Sequence, residues 1–211
     1  MNINYKFEKK MKKVLYLFMI IPLLSLAIDN KESLSIDESL PIPNYKMKSV
    51  DGSFYSLNDL KTEKGILVIF TCNTCPFVVM WEDRYKMLEE YCKKNNIGIA
   101  YINSNYKRRN SVDSYKNMIE HSKNMNYNYQ YLVDNKSKLA NTFNAKTTPH
   151  IFLFDETNKL VYKGSIDNNY KDKSNVTEFY LKDAMDQMLK NEKIEINTTK
   201  AIGCSIKRYE N

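Results

Sequence analysis

The chain has 211 residues, and 32 Lys and Arg against 25 Asp and Glu give it a formal net charge of +7 at pH 7. Residues 1–27 contain five Lys and one Glu, so their removal takes away a net +4 and leaves +3. The remaining lysines are scattered among acidic residues, which argues against nucleic-acid binding. The chain is long enough to bury a real core, and four cysteines are too few to staple a small disulfide scaffold.

The N-terminal segment 1–27 is predicted to be a secretory signal peptide. A lysine-rich start is followed by the apolar run 14–24 and by Ser25-Leu26-Ala27, whose small residues suit a signal peptidase. The apolar run is shorter than the roughly 20 residues that cross a bilayer. We therefore expect export to the periplasm or cell envelope of a bacterium, with membrane attachment only if the signal is not cleaved.

The polar residues 28–41 are predicted to form an extended linker that ends near Pro41. A single domain is expected over 42–190, followed by a polar tail over 191–211. Within the start of this domain, the turn signal at 50–54 predicts two short paired strands, which form an N-terminal hairpin.

The middle of the chain alternates between apolar strands and amphipathic helices. Predicted strands cover 66–70, 97–102, 129–134, 151–154 and 160–162, and predicted helices cover 77–94, 111–125, 136–143 and 176–189. The last two strands are separated by too few residues for a crossover, so they must be antiparallel. This order predicts an α/β fold in which helices cover both faces of a mixed sheet.

Cys72-Asn73-Thr74-Cys75-Pro76 directly follows the first buried strand and directly precedes the first long helix. The partial positive charge at a helix N-terminus favours a thiolate, which we expect at Cys72. A second thiol within reach can close a reversible disulfide. The alternatives are an inert disulfide or half of a zinc site, but a structural zinc site normally takes four Cys or His ligands and the chain offers one close-spaced pair. We expect neither a metal nor another cofactor.

The other candidate residues each have a simpler structural interpretation. Cys92 lies on the apolar face of its helix and is expected to be a small buried hydrophobe. Cys204, in the polar tail, could be a third redox thiol or an intermolecular partner, and a cysteine without a functional role is the simpler interpretation. His150 could stabilise a thiolate as an imidazolium, although strand alternation could direct it elsewhere. His121 and Glu82 are expected at the surface, and a role for Glu82 in proton transfer is the weaker interpretation.

Two motifs together resemble a thioredoxin fold: the pair Cys72 and Cys75 after a strand, and Thr148-Pro149 before an apolar strand. More closely, residues 70–78 resemble an exported branch of the redoxins, the thioredoxin-like relatives of alkyl hydroperoxide reductase. Further matches lie at 82–84, 103–105, 148–153, 162–168 and 203–207, and the similarity covers 42–208. The resemblance implies that Pro149 is cis and that Thr148 and Pro149 pair with the backbone of a bound polypeptide.

The resemblance also implies a thiol–disulfide oxidoreductase that exchanges disulfides with protein thiols and with a redox partner at the envelope. Cys72 is the expected nucleophile and Cys75 the resolving thiol, with the reverse sequence in an oxidant. The chain departs from the thioredoxins by having Asn73-Thr74 between its cysteines and Ile66 where they bury an aspartate.

Two other functions remain open at this stage. The first is a thiol peroxidase, although Ile69 stands three residues ahead of Cys72, where the peroxiredoxins carry a threonine. The second is a copper carrier of the same fold that binds the metal through paired cysteines and a distant histidine. Such carriers usually have three residues between the cysteines, whereas this chain has two.

Overall fold

The computed structural model describes residues 33–210, which fall within one compact unit. The predicted signal peptide at 1–27 lies outside the described residues. Among the helices in 33–210, none combines the length and the apolar character needed to cross a bilayer.

The strands are β1 (Met47–Ser49), β2 (Phe54–Tyr55), β3 (Ile66–Thr71), β4 (Gly98–Asn103), β5 (Gln130–Val133), β6 (Thr147–Thr148), β7 (His150–Phe154), β8 (Leu160–Gly164) and β9 (Cys204–Ser205). The helices are α1 (Leu57–Leu60), α2 (Pro76–Lys94), α3 (Tyr115–Asn124), α4 (Lys138–Phe143) and α5 (Tyr180–Leu189). Seven strands form one sheet in the order β2-β1-β5-β4-β3-β7-β8, and β6 pairs with β9 in a separate ladder.

The central sheet is mixed, as predicted from the order of the elements. Strand β3 pairs in parallel with β4, and β4 with β5, while β7 and β8 complete one side as antiparallel strands. The predicted N-terminal hairpin is formed by β1 and β2, and β1 joins it to the edge of the sheet beside β5. The α/β class and the hairpin extension are therefore confirmed.

Burial on both faces of the sheet explains the continuous apolar run 66–70 in strand β3. All of its residues are buried, and its side chains alternate between two cores. Leu67 and Ile69 pack in the core that includes residues of α2, α3 and α5. Val68 and Phe70 pack in the core that includes residues of α1 and α4.

Helix α2 begins directly after the dithiol motif. Cys75 is its N-cap residue and Pro76 occupies the first helical position, where a missing N–H costs nothing. The buried face of α2 includes Trp81, Tyr85 and Cys92. The prediction for Cys92 is confirmed, because its side chain is fully buried and its sulfur contacts the sulfur of Met185.

Helix α3 begins later than predicted. Ser114 caps it by accepting a hydrogen bond from the Asn117 N–H, so the helix starts at Tyr115 instead of Ser111. A hydroxyl at the N-cap satisfies one of the free N–H groups of the first turn. The residue Asp113 consequently lies in the preceding loop, where its side chain is buried.

The predicted linker and tail both differ from what the structure shows. Within 33–41, the Asp37 N–H donates to Leu160 O and the Leu40 side chain is buried in the core under α4. Within the tail, the Thr199 N–H donates to Lys163 O, and Ile206 is buried in the same core. Removing the apolar Leu40 and Ile206 side chains from water is favourable, so their burial holds both segments against the domain.

The aromatic contacts of Phe70 with Phe143 and Phe152 lead to a stability prediction. Phe70→Ala should lower the free energy of unfolding by about 3–5 kcal/mol, because it removes a fully buried ring and leaves a cavity. Urea denaturation measures this change. Phe54→Ala is the matched control, since Phe54 is 61% exposed and its loss should stay within about 0.5 kcal/mol. Equal losses for the two variants would contradict the core described above.

Candidate redox site

The dithiol lies where β3 ends and α2 begins, at the wall of a cavity of about 270 Å³. The cysteines Cys72 and Cys75 are 2% and 6% exposed, and both are free thiols. Thr148, Asp113 and Cys204 also line this cavity. The three cysteines of the site therefore border one cavity.

Thr148 contacts both sulfurs. Its hydroxyl Oγ1 lies 3.3 Å from Cys72 Sγ, and its carbonyl oxygen lies 3.2 Å from Cys75 Sγ. The peptide bond between Thr148 and Pro149 is cis, as the resemblance implies. The two motifs that lie far apart in the sequence are therefore brought together in one site.

Asp113 holds the loop between the two cysteines, and the sequence analysis did not identify it as a site residue. Its carboxylate accepts hydrogen bonds from the Asn73 backbone N–H at 2.9 Å, from Asn103 Nδ2 at 2.8 Å and from Asn105 Nδ2 at 3.0 Å. The Tyr131 hydroxyl donates to Asn73 Oδ1 at 2.8 Å. Asn103 and Asn105, at and just after the end of β4, were the sequence signal for this network. The sequence does not show that they bind Asp113.

Each of the two thiols shifts the pKa of the other. The neighbouring Cys72 thiol, followed by the Cys204 thiol, lowers the pKa of Cys75 to about 5 against the opposing effect of burial. The nearby Cys75 sulfur, together with burial, raises the pKa of Cys72 well above its usual range. At neutral pH the pair therefore carries one negative charge and one proton.

These pKa directions favour the thiolate at Cys75, whereas the sequence predicts it at Cys72. The helix field falls off within the first turn, and the helix starts after Cys75, so Cys72 lies three residues before the N-cap. The hydrogen bond from Cys75 Sγ to the Thr148 carbonyl oxygen favours a protonated Cys75, whereas the neighbouring thiols of Cys72 and Cys204 favour its thiolate and have the larger effect on its pKa.

His150 does not lie at the dithiol. Its Nδ1 accepts a hydrogen bond from the Lys146 N–H at 3.1 Å, and its ring packs against Phe152. It lines a different cavity, beside Lys163. Burial, with a smaller contribution from nearby cations, lowers the pKa of His150 to about 3, so the ring is neutral at neutral pH. The expected imidazolium beside the thiolate is therefore wrong, because strand β7 directs this side chain elsewhere.

Glu82 and His121 are also placed differently from their prediction as surface residues. The Glu82 side chain is buried, and its Oε1 lies 2.6 Å from His121 Nε2 and accepts from the Tyr127 hydroxyl at 2.8 Å. His121 is partly buried. His121 and Tyr127, which lie outside α2, form hydrogen bonds with the carboxylate, and these bonds offset the cost of burying it. Neither Glu82 nor His121 lines the dithiol cavity.

Cys204 is brought to the dithiol by the short strand β9. Its backbone is paired with Thr148 in the antiparallel ladder of β6 and β9. Its side chain packs against the buried cluster that contains Cys72 and Cys75. Burial, followed by the nearby Cys75 sulfur, raises the pKa of Cys204 to about 11. The sequence placed Cys204 in a polar tail and left its role open, whereas the structure makes it the third sulfur of the site.

Comparisons with known proteins agree with this architecture. The model of the AhpC/TSA family matches residues 39–163. The chain belongs to the AhpC/TSA family. Its members are redoxins, so the resemblance identified from the sequence is confirmed at the level of the family. A search of curated protein sequences gave no match.

Solved structures match this redoxin over most of its length. A hypothetical protein from Sinorhizobium meliloti has 25% identity and a TM-score of 0.77, over 85% of this chain and 98% of the other. An uncharacterised conserved protein from Geobacillus kaustophilus has 26% identity and a TM-score of 0.75, over 85% and 94%. The exposed lipoprotein thioredoxin of Streptococcus pneumoniae has 21% identity and a TM-score of 0.52, over 70% and 98%. The thioredoxin fold is thereby confirmed.

The lowered pKa of Cys75 predicts how the reduced redoxin reacts with iodoacetamide. Only the thiolate reacts, and it forms as the pH rises through the pKa, so labelling of Cys75 should reach half its maximal rate near pH 5. Peptide mass spectrometry at a series of pH values measures this rate. Cys72→Ala removes the largest donor and should move the midpoint to higher pH.

Cys92→Ala is the control for this experiment, because Cys92 lies away from the cavity and its loss should leave the midpoint unchanged. A midpoint for Cys75 near 9.0, the ordinary thiol value, would contradict the thiolate assignment. Preferential labelling of Cys72 at low pH would contradict it as well.

Proposed function

We propose that this redoxin is a thiol–disulfide oxidoreductase that exchanges disulfides with protein substrates through Cys72 and Cys75. The observation that carries the proposal is the pair of thiols at the N-terminus of α2, both in contact with Thr148 at the wall of a cavity. Membership of the AhpC/TSA family makes the protein a redox enzyme in a general sense. The protein-disulfide specificity is the part that we add.

The proposed reaction begins with the Cys75 thiolate. It attacks one sulfur of a client disulfide, which forms a mixed disulfide and releases the other client sulfur as a thiolate. Cys72 then gives up its proton, attacks Cys75 Sγ and releases the client as a dithiol. The redoxin is left with a Cys72–Cys75 disulfide, and in an oxidant the same steps run in reverse. Sulfur carries the electrons throughout, so the reaction requires no bound cofactor.

A client polypeptide would be held at Thr148 and Pro149. The backbone of β6 pairs with β9, so an extended client strand would take the place of β9 at this edge, and strand addition supplies affinity through main-chain hydrogen bonds. Because the Thr148 carbonyl lies 3.2 Å from Cys75 Sγ, a strand bound at this edge would carry its cysteine close to the reactive sulfur. The edge and the thiolate therefore belong to the same recognition site.

Export to the bacterial envelope is part of the proposal. The N-terminal segment 1–27 has the pattern of a signal peptide, and one similar structure is an exposed lipoprotein thioredoxin. In an oxidising compartment, a protein with this chemistry needs an envelope redox partner that returns its dithiol to the working state.

Covalent trapping tests the proposed function and the order of attack. Cys72→Ala leaves the attacking thiolate without its resolving thiol, so mixed disulfides with client proteins should accumulate, while Cys75→Ala should yield few. Both variants are made together with Cys204→Ala, because Cys204 also contacts Cys75 and could release the client. Non-reducing electrophoresis followed by mass spectrometry identifies the adducts.

The matched control for trapping is Cys92→Ala with Cys204→Ala, which keeps both reactive cysteines and should release its clients. An absence of adducts from both trapping variants, with no reduction of a model disulfide by the unmodified protein, would overturn the proposed function. Adducts found only with Cys75→Ala would instead return the role of nucleophile to Cys72.

A thiol peroxidase is the second candidate, and the match to the AhpC/TSA family favours it. In that case the Cys75 thiolate would attack a peroxide oxygen instead of a sulfur, and peroxide would disappear at a rate that Cys75→Ser abolishes. Peroxide consumption that is faster than client-disulfide reduction would make this candidate the main activity. A copper carrier is less well supported, because His121 contacts Glu82 and His150 lines another cavity.

A further inference from the structure

The segment that follows Gly203 is held firmly against the domain. The Ile206 N–H donates to Lys146 O at 3.1 Å, and the Lys207 N–H donates to Asn105 Oδ1 at 2.8 Å. The Ile206 side chain is buried in the core under α4. These bonds and this burial fix the position of the cysteine two residues earlier in the chain.

Gly203 lets the tail approach the dithiol loop closely. A Cβ at this position would lie 2.2 Å from the Thr148 carbonyl oxygen and 3.1 Å from the Pro149 nitrogen, so no side chain fits there. The close approach allows Cys204 to pair with Thr148 across the ladder of β6 and β9. The tail thus lies on the residues that the proposed function assigns to client binding.

Strand β9 has the features expected of a bound client. It is short and extended, it pairs antiparallel with β6, and it carries a cysteine opposite Thr148. The Cys204 side chain packs against the buried cluster that contains Cys75 and Cys72, and all three cysteines line one cavity. Cys75 therefore has a thiol neighbour on each side, one from the motif and one from the tail.

We propose that Cys204 is a third redox residue, and that β9 is an internal client strand whose thiol forms a disulfide with Cys75. This proposal rests on the proposed function, because it assigns a second partner to the same reactive sulfur. The tail and an external client compete for the edge of β6, so an external strand binds after β9 has left.

The chemistry balances without a further reagent. The Cys75 thiolate attacks an external disulfide, forms a mixed disulfide and releases one thiolate. The Cys204 sulfur then attacks Cys75, its proton passes to the departing sulfur, and a Cys75–Cys204 disulfide forms. Two protein thiols are oxidised while one external disulfide is reduced to two thiols. Attack by Cys72 on the Cys75–Cys204 bond then yields Cys72–Cys75 and returns Cys204 to the thiol.

The test uses Cys72→Ser and oxidised glutathione as the disulfide. After acid quenching and alkylation, a non-reducing digest should contain the peptide pair linked through Cys75 and Cys204, and the protein should remain a monomer. Adding Cys204→Ser should leave Cys75 joined to glutathione instead. Accumulation of the glutathione adduct in Cys72→Ser itself, with no Cys75–Cys204 link, would overturn the proposal.

A second variant moves the tail without removing any thiol. Gly203→Val places side-chain atoms against the Thr148 carbonyl and should displace β9, so that in a Cys72→Ser background the Cys75–Cys204 link falls at least tenfold. Ser205→Val is the matched control, because this neighbouring side chain is exposed and the link should persist. An undiminished link in Gly203→Val would contradict the role of β9.

The two proposals fail in different ways. If the unmodified protein reduces client disulfides but the Cys75–Cys204 link never forms, the role of Cys204 is wrong and the oxidoreductase stands. If the link forms but no client disulfide reacts, the proposed function is wrong.

Discussion

The placement of the Cys72 and Cys75 thiols in one buried cluster is the constraint on which the rest of the site depends. Each thiol changes the pKa of the other, so one of them can be a thiolate in a region where an isolated charge would be costly. Thr148 contacts both sulfurs, and the Asp113 carboxylate holds the loop between them. The backbone around the pair is fixed by groups that come from other parts of the fold.

The two cysteines have different neighbours at the site. Cys75 is the N-cap residue of α2 and its sulfur contacts the Thr148 carbonyl oxygen, whereas Cys72 lies three residues earlier and its sulfur contacts the Thr148 hydroxyl. The same geometry places Cys75 beside β6, whose backbone pairs with β9.

The sequence was sufficient to identify the elements that meet at the site. The apolar run of β3 and the helical spacing of α2 are local patterns, so they predict the dithiol at the junction of a strand and a helix. The resemblance supplied Thr148 and the cis form of Pro149, and the structure agrees with both. The roles of Asp113 and His150 could not be obtained in this way, because each depends on which distant backbone groups surround its side chain.

The sequence by itself determined the class of the fold, the family and the pair of cysteines, since these depend on periodicity and on residues that are adjacent in the chain. The tertiary structure alone decided which distant groups surround the two thiols, that Glu82 is buried against His121, and that Cys204 returns to the dithiol across more than a hundred residues. Hydrogen bonding and burial depend on which groups lie within a few ångströms of each other. For segments that are remote in the sequence, those distances are set only by the folded chain.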